Sequence, residues 1–147
     1  MEIIRATEVN ITDVSRLFNL YRQFYGCEDD IYLASNYIAE RIHKHESVIF
    51  IAHDGKSAKG FVQLYPSFCS VEAIKIYILY DLYVEQDSRK NGIGNLLMNR
   101  ASEFAKDSGA LRVDLQTAHD NSSGQHLYEK LDYQKVDEEY YSYSLHL

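Results

Sequence analysis

The chain has 147 residues, enough for one domain with a single hydrophobic core, and 1–147 reads as one domain. Its formal net charge of −7 excludes a general nucleic-acid binder, which needs a basic surface, and suits attraction of cationic amines. Apolar runs such as 48–52 are too short for a membrane span, residues 1–5 carry no secretory signal pattern, and Cys27 and Cys69 have neither metal-ligand nor disulfide spacing, so a reducing cytoplasm is expected.

Residues 3–6 open the chain as a short strand. Over 12–25, Val14, Leu17, Phe18, Tyr21 and Tyr25 recur at helical spacing, and Gly26 is a stop signal. The acidic residues Glu28, Asp29 and Asp30 lead into a second helix with Leu33, Tyr37, Ile38 and Ile42 on one side. Residues 48–52 are rich in β-branched side chains and read as a strand, Asp54 and Gly55 as a turn, and 60–65 as its returning partner. Pro66, the one proline, ends that strand or marks an edge. The run 74–84 is so uniformly apolar that a central strand buried on both faces is predicted.

A polar link follows, and then Ile93, Leu97, Ala101, Phe104 and Ala105 repeat at helical spacing up to Gly109. Residues 111–117 read as a strand, and Asn121 caps a short helix carrying Leu127, Tyr128 and Leu131. In the tail, 140–147, Tyr141, Tyr143, Leu145 and Leu147 alternate onto one face, which predicts a last strand. The element order calls for a mixed, mostly antiparallel sheet of about seven strands with four helices. The chain has thirteen tyrosines and no tryptophan, which fits core-edge packing or a substrate cage.

The segment with the most chemistry runs from the strand ending Asp81, Leu82, Tyr83, Val84 to Arg89, Lys90, Asn91, Gly92, Ile93 and Gly94, which open a helix. A helix start offers unpaired N–H groups and a positive dipole end, which suits a pyrophosphate. Gly92 and Gly94 let backbone approach phosphate without an intervening side chain, and Arg89 and Lys90 add positive charge. A P-loop is excluded because Asn95 and Leu96 follow Gly94 where Lys and Ser or Thr are required. The dinucleotide fingerprint is excluded because Leu97 stands where its third glycine belongs.

Arg89, Gly92 and Gly94 instead match Gln/Arg-x-x-Gly-x-Gly/Ala, and the pattern resembles motif A of the GNAT acetyltransferases. Asn121 to Tyr133 is similar to the family's motif B, with Gly124 in place of alanine and Asp132 in place of glycine. The stretches 60–65 and 79–84 look most like the branch containing diamine, polyamine and some lysine acetyltransferases. The resemblance implies a GNAT fold and direct transfer of an acetyl group from acetyl-CoA to a primary amine within a ternary complex.

By the same resemblance, coenzyme A contacts fall on Leu82, Tyr83, Val84, Arg89, Lys90, Asn91, Gly92, Ile93, Gly94 and Asn121. A backbone N–H near Leu82 or Tyr83 stabilises the oxyanion, and Tyr128 protonates the leaving sulfur. Asp81 is the first candidate for contact with the amine, because a carboxylate on a buried strand needs a partner. Glu72 and the acidic loop at Glu28 are weaker candidates. No metal is implied, since the six histidines lack ligand spacing. A non-catalytic acyl-CoA-binding module of the same fold is the alternative. The tail suits either a homodimer contact or the chain's own core edge.

Overall fold

The structure is a computed structural model that describes residues 1–136 and 141–147. It divides into two compact units, Met1–Gln116 and Thr117–Leu147. The first holds a five-stranded sheet in the order β1-β2-β3-β4-β5: β1 is Glu2–Arg5, β2 Val48–His53, β3 Ala58–Cys69, β4 Ile74–Val84 and β5 Arg112–Asp114. Strands β1 to β4 pair antiparallel and β5 joins β4 in parallel, so the expected mixed sheet is present.

Alternation along β2 and β3 sends successive side chains to opposite faces. Ile49, Ile51 and Phe61 join Val14, Leu17 and Phe18 of α1 (Ile11–Phe24) and Ala34 and Ile38 of α2 (Ile31–His43) in one buried cluster. On the other face, a Cβ placed on Gly60 would come within 3.3 Å of Leu97 of α3 (Ile93–Asp107), and the Phe50 and Phe104 rings meet at 5.6 Å. Each fully buried Leu or Phe of these layers contributes on the order of 1.5–3 kcal/mol by leaving water.

Pro66 does not end β3, which runs on to Cys69. Pairing of β3 with β2 stops at Leu64, so Pro66 lies where β3 has only β4 beside it and a missing N–H costs nothing. The middle strand is β3, not the apolar run of β4, and β4 is not buried on both faces: Tyr80 is 68% exposed.

Among the described residues the sheet has five strands, not the expected seven or so. Residues 141–147 take no strand, and Tyr141, Tyr143 and Leu145 are exposed. Alternation defines a face but supplies no ladder partner, and pairing is what makes a strand. Tyr140, where the predicted strand begins, lies outside the described residues. The second unit contains α4, Ser122–Lys130. Among the described residues no helix is long and apolar enough to cross a membrane.

Candidate functional site

The turn singled out in the sequence begins where β4 ends. The N–H of Glu85 donates to Lys59 O at 2.9 Å, and the Glu85 carboxylate is held by Arg16, with Lys59 Nζ at 3.8 Å. Lys90 and Gly92 both take left-handed backbone, φ 63° and 77°, and Gly92 is the N-cap of α3. Such conformations turn successive N–H groups inward to make a concave anion-binding surface. The first bond into the helix runs from Leu96 N to Gly92 O at 3.1 Å, so the preceding amides have no carbonyl within α3. A Cβ on Gly92 would meet nothing within 4 Å, which leaves open space at the helix start.

The Arg89 side chain is engaged with protein groups. Its Nε donates to Val84 O at 2.9 Å, and its guanidinium lies over the rings of Phe24 and Tyr83 at 5.5 and 5.7 Å. Arg89 therefore ties the turn to the end of β4. Asn91 Nδ2 makes a weak contact with Ser88 O at 3.4 Å.

Strand β4 pairs with β5 only over Ile76, Tyr77 and Ile78. From Leu79 to Val84 it has β3 on one side and no strand on the other among the described residues. Successive residues aim their N–H and C=O groups at opposite edges. Glu85 N bonds to β3, so by alternation Tyr83 also faces β3, and its carbonyl is 2.7 Å from a Cβ placed on Gly60. The N–H groups of Leu82 and Val84 then face the open edge, beside the strand end that leads into the turn.

A β-bulge shapes the other half of the site. Gln63 pairs with Asp81 and Leu64 with Leu79, leaving Tyr80 as an extra residue. Residues three apart on a regular strand point to opposite faces. With the extra residue, Ile78, Tyr80 and Asp81 all line one cavity of about 570 Å³. Its remaining wall comes from Phe18, Tyr21 and Arg22 of α1, Tyr25 at its C-cap, Tyr37 of α2, Tyr65 of β3 and Cys27. Five of the thirteen tyrosines thus surround one carboxylate.

Asp81 is only 4% exposed. Burial pushes its carboxyl above the usual range, while hydrogen bonds from Gln63 and Tyr21 pull it partly back. Gln63 Nε2 donates to Asp81 Oδ2 at 2.7 Å, and Gln63 Oε1 in turn accepts from Ser47 Oγ at 2.7 Å. The hydroxyls of Tyr37 and Tyr65 lie 2.5 Å apart. Burial, that bond and nearby Asp81 all raise the Tyr65 phenol, so it stays neutral.

The second unit holds the motif B residues. Asn121 Oδ1 accepts from Gly124 N at 3.1 Å, capping α4, and Nδ2 donates to Thr117 Oγ1 at 3.0 Å. A Cβ on Gly124 would sit 2.5 Å from Asn121 Nδ2, so glycine makes room for this cap where alanine is usual. Asp132 takes φ 66°, the left-handed turn that the substituted glycine position calls for. The Tyr128 and Tyr133 rings lie 6.2 Å apart.

The weaker candidates are engaged elsewhere. Glu72 Oε2 accepts from Arg112 at 2.9 Å in an exposed pair. Asp29 accepts from Asn19 at 2.8 Å, and Asp30 caps α2 through Leu33 N at 3.0 Å. Sequence reasoning gives no site role to Arg22, Tyr25, Tyr37, Tyr65 and Tyr80 of the cavity, nor to Gln63, which bonds to Asp81. Spacings of three, four and seven along α1 were available for Phe18, Tyr21, Arg22 and Tyr25, but the bulge at Tyr80 leaves no trace in composition.

A strand parting from its parallel neighbour, an amide-rich helix start beside it and a buried carboxylate on the same strand define the framework of an acyltransferase. The chain belongs to the acetyltransferase (GNAT) family, whose family model matches residues 14–133. It is 39% identical over 135 residues to an uncharacterized N-acetyltransferase, YhfO, of Bacillus subtilis strain 168, covering 92% of this chain and 91% of that one. A probable acetyltransferase of Haemophilus influenzae is 28% identical over 124 residues, covering 84% of this chain and 85% of that one. A crystal structure of a probable acetyltransferase superposes with a TM-score of 0.90 at 32% identity, covering 100% of this chain and 98% of that one. The chain is an enzyme of the acyltransferase class with the mixed α/β GNAT fold, which shows four α-helices among the described residues.

Proposed function

We propose that residues 1–147 act as one N-acetyltransferase domain that moves an acetyl group from acetyl-CoA to a primary amine by direct transfer. The observation that carries this reading is β4, which lines an acceptor cavity through Asp81 and presents an open backbone edge at Leu82 and Val84. Acetyl-CoA, when bound, supplies an acetyl group activated as a thioester. The amides at the start of α3 and the space before Gly92 receive its phosphates, with Lys90 adding charge. Leu82 N–H donates to the carbonyl oxygen as negative charge grows on it.

Asp81 holds the incoming ammonium and takes a proton from it, leaving a neutral nitrogen to attack. The new C–N bond forms, the C–S bond breaks, and Tyr128 gives its proton to sulfur. The cavity volume suits a small molecule, and diamines, polyamines and lysine side chains belong to the acceptor classes in question. Two free cysteines suit a reducing cytoplasm.

The test is release of free thiol from acetyl-CoA against a panel of amines, with Tyr128→Phe alongside the natural enzyme. Turnover with some amines and a kcat lower by about 100-fold or more in the variant, on the order expected for losing a general acid, support it. Binding of coenzyme A with no amine above background hydrolysis, and no effect of Tyr128→Phe, would leave an acyl-CoA-binding module instead.

A further inference from the structure

The tyrosine cavity contains a cation as well as a carboxylate. Arg22 follows Tyr21 on α1, four residues after Phe18 and three before Tyr25, so it sits on the face that α1 turns to the cavity. Its Nη1 is buried and has no hydrogen-bond partner, and its guanidinium makes no ion pair among the described residues. A basic residue in the last turn of a helix ordinarily complements the dipole with its head in water. A buried guanidinium nitrogen without a partner is costly, and at a cavity wall it calls for an acceptor that the described residues do not supply.

From this geometry we infer that the acceptor is a small zwitterion of the amino-acid class, its amine directed to Asp81 and its carboxylate to Arg22. The inference rests on the acetyl-transfer reading and narrows it. Arg22 presents a planar fork of donors that matches a carboxylate, so an acceptor carboxylate held there leaves the amine end to reach Asp81. The tyrosine rings that line the same cavity offer apolar faces for the intervening carbons and π faces for the ammonium. A diamine has no group for Arg22 and would bring a second cation towards it. A lysine within a polypeptide carries no free carboxylate.

The experiment compares amino acids with their decarboxylated counterparts, lysine with cadaverine and tyrosine with tyramine, in the thiol-release assay. The natural enzyme is expected to favour the acid-bearing member of at least one pair by about tenfold or more in kcat/KM, as expected for a buried charge pair. In Arg22→Met that ratio falls towards one, and Arg22→Lys restores part of it. A ratio of one or less for every pair, or an equal loss on both members in Arg22→Met, overturns the inference.

A second readout does not depend on acetyl transfer: thermal stabilisation by the same compounds with coenzyme A present. Stabilisation by an amino acid that vanishes in Arg22→Met supports the site even if no amine is turned over. The absence of stabilisation by every amino acid overturns it, whatever the fate of the acetyl-transfer reading.

Discussion

Gln63 and Asp81 face each other across β3 and β4, and the amide Nε2 of one donates to the carboxylate Oδ2 of the other at 2.7 Å with both side chains buried. Behind it, the Ser47 hydroxyl holds the other end of the amide. The Gln63 amide therefore cannot rotate without losing a bond at each end. A carboxylate fixed in this way at the wall of an aromatic cavity is oriented before any acceptor arrives, which spares the reaction that ordering cost.

Asp81→Asn keeps an oxygen for Gln63 and removes the charge. Activity with every amine is expected to fall by about 100-fold or more, since both the ammonium partner and the proton acceptor are lost. Stability should move the other way. A carboxyl raised in the folded state binds more protons folded than unfolded between its unfolded and folded pKa values. Its contribution is present at low pH and is lost as pH rises through that window. The variant should thus be at least as stable as the natural protein at pH 7, with a flatter pH dependence, by thermal unfolding across pH 4–8.

Gln63→Met tests the positioning bond itself. The Gln63 donor lowers the Asp81 carboxyl, so its removal leaves burial less opposed and raises that group further. The acid limb of the kcat/KM profile is then expected to move to higher pH, while activity well above it is retained in large part. An unmoved limb together with a uniform loss of rate would reduce Gln63 to a packing residue.

Much of this arrangement was legible in the chain, and the reasons are local. Helical spacing fixed α1, α2 and α3, and Gly92 stood out because backbone that approaches a phosphate at a helix start must carry no side chain. Asp81 stood out because a charge inside an apolar run must be partnered. The cavity was not legible, because it depends on Tyr80 being looped out against β3 and on Tyr21, Tyr37 and Tyr65 meeting from three separate elements. The tail failed for the opposite reason: its alternation is clear, but whether residues 141–147 find a ladder partner is decided by tertiary structure.

Gly60→Ala probes the packing that keeps β4 in place. A Cβ there would lie 2.7 Å from Tyr83 O, a backbone atom that yields only if β3 and β4 part, and 3.2 Å from Val84 Cγ2. A cost of about 1–3 kcal/mol is expected, as for overpacking elsewhere. Because the strain falls on Tyr83 and Val84, which directly follow the proposed oxyanion contact at Leu82, kcat should drop as well as the unfolding midpoint. Unchanged unfolding would mean that the strands separate more readily than their pairing indicates.

Gly92→Ala separates backbone cost from donor contact. No atom lies within 4 Å of the added carbon, so the steric penalty within the chain is nil and what remains is the left-handed φ of 77°. That conformation costs an L-residue roughly 1 kcal/mol, a modest loss of stability. In the proposed complex the same carbon occupies the space through which the α3 amides approach the phosphates. The KM for acetyl-CoA is therefore expected to rise by about tenfold or more, with kcat at saturating donor much less affected, as for a loss of ground-state binding. A KM that stays unchanged while stability falls as expected would move the phosphate contact away from Gly92, and the opening at the start of α3 would lose its assignment.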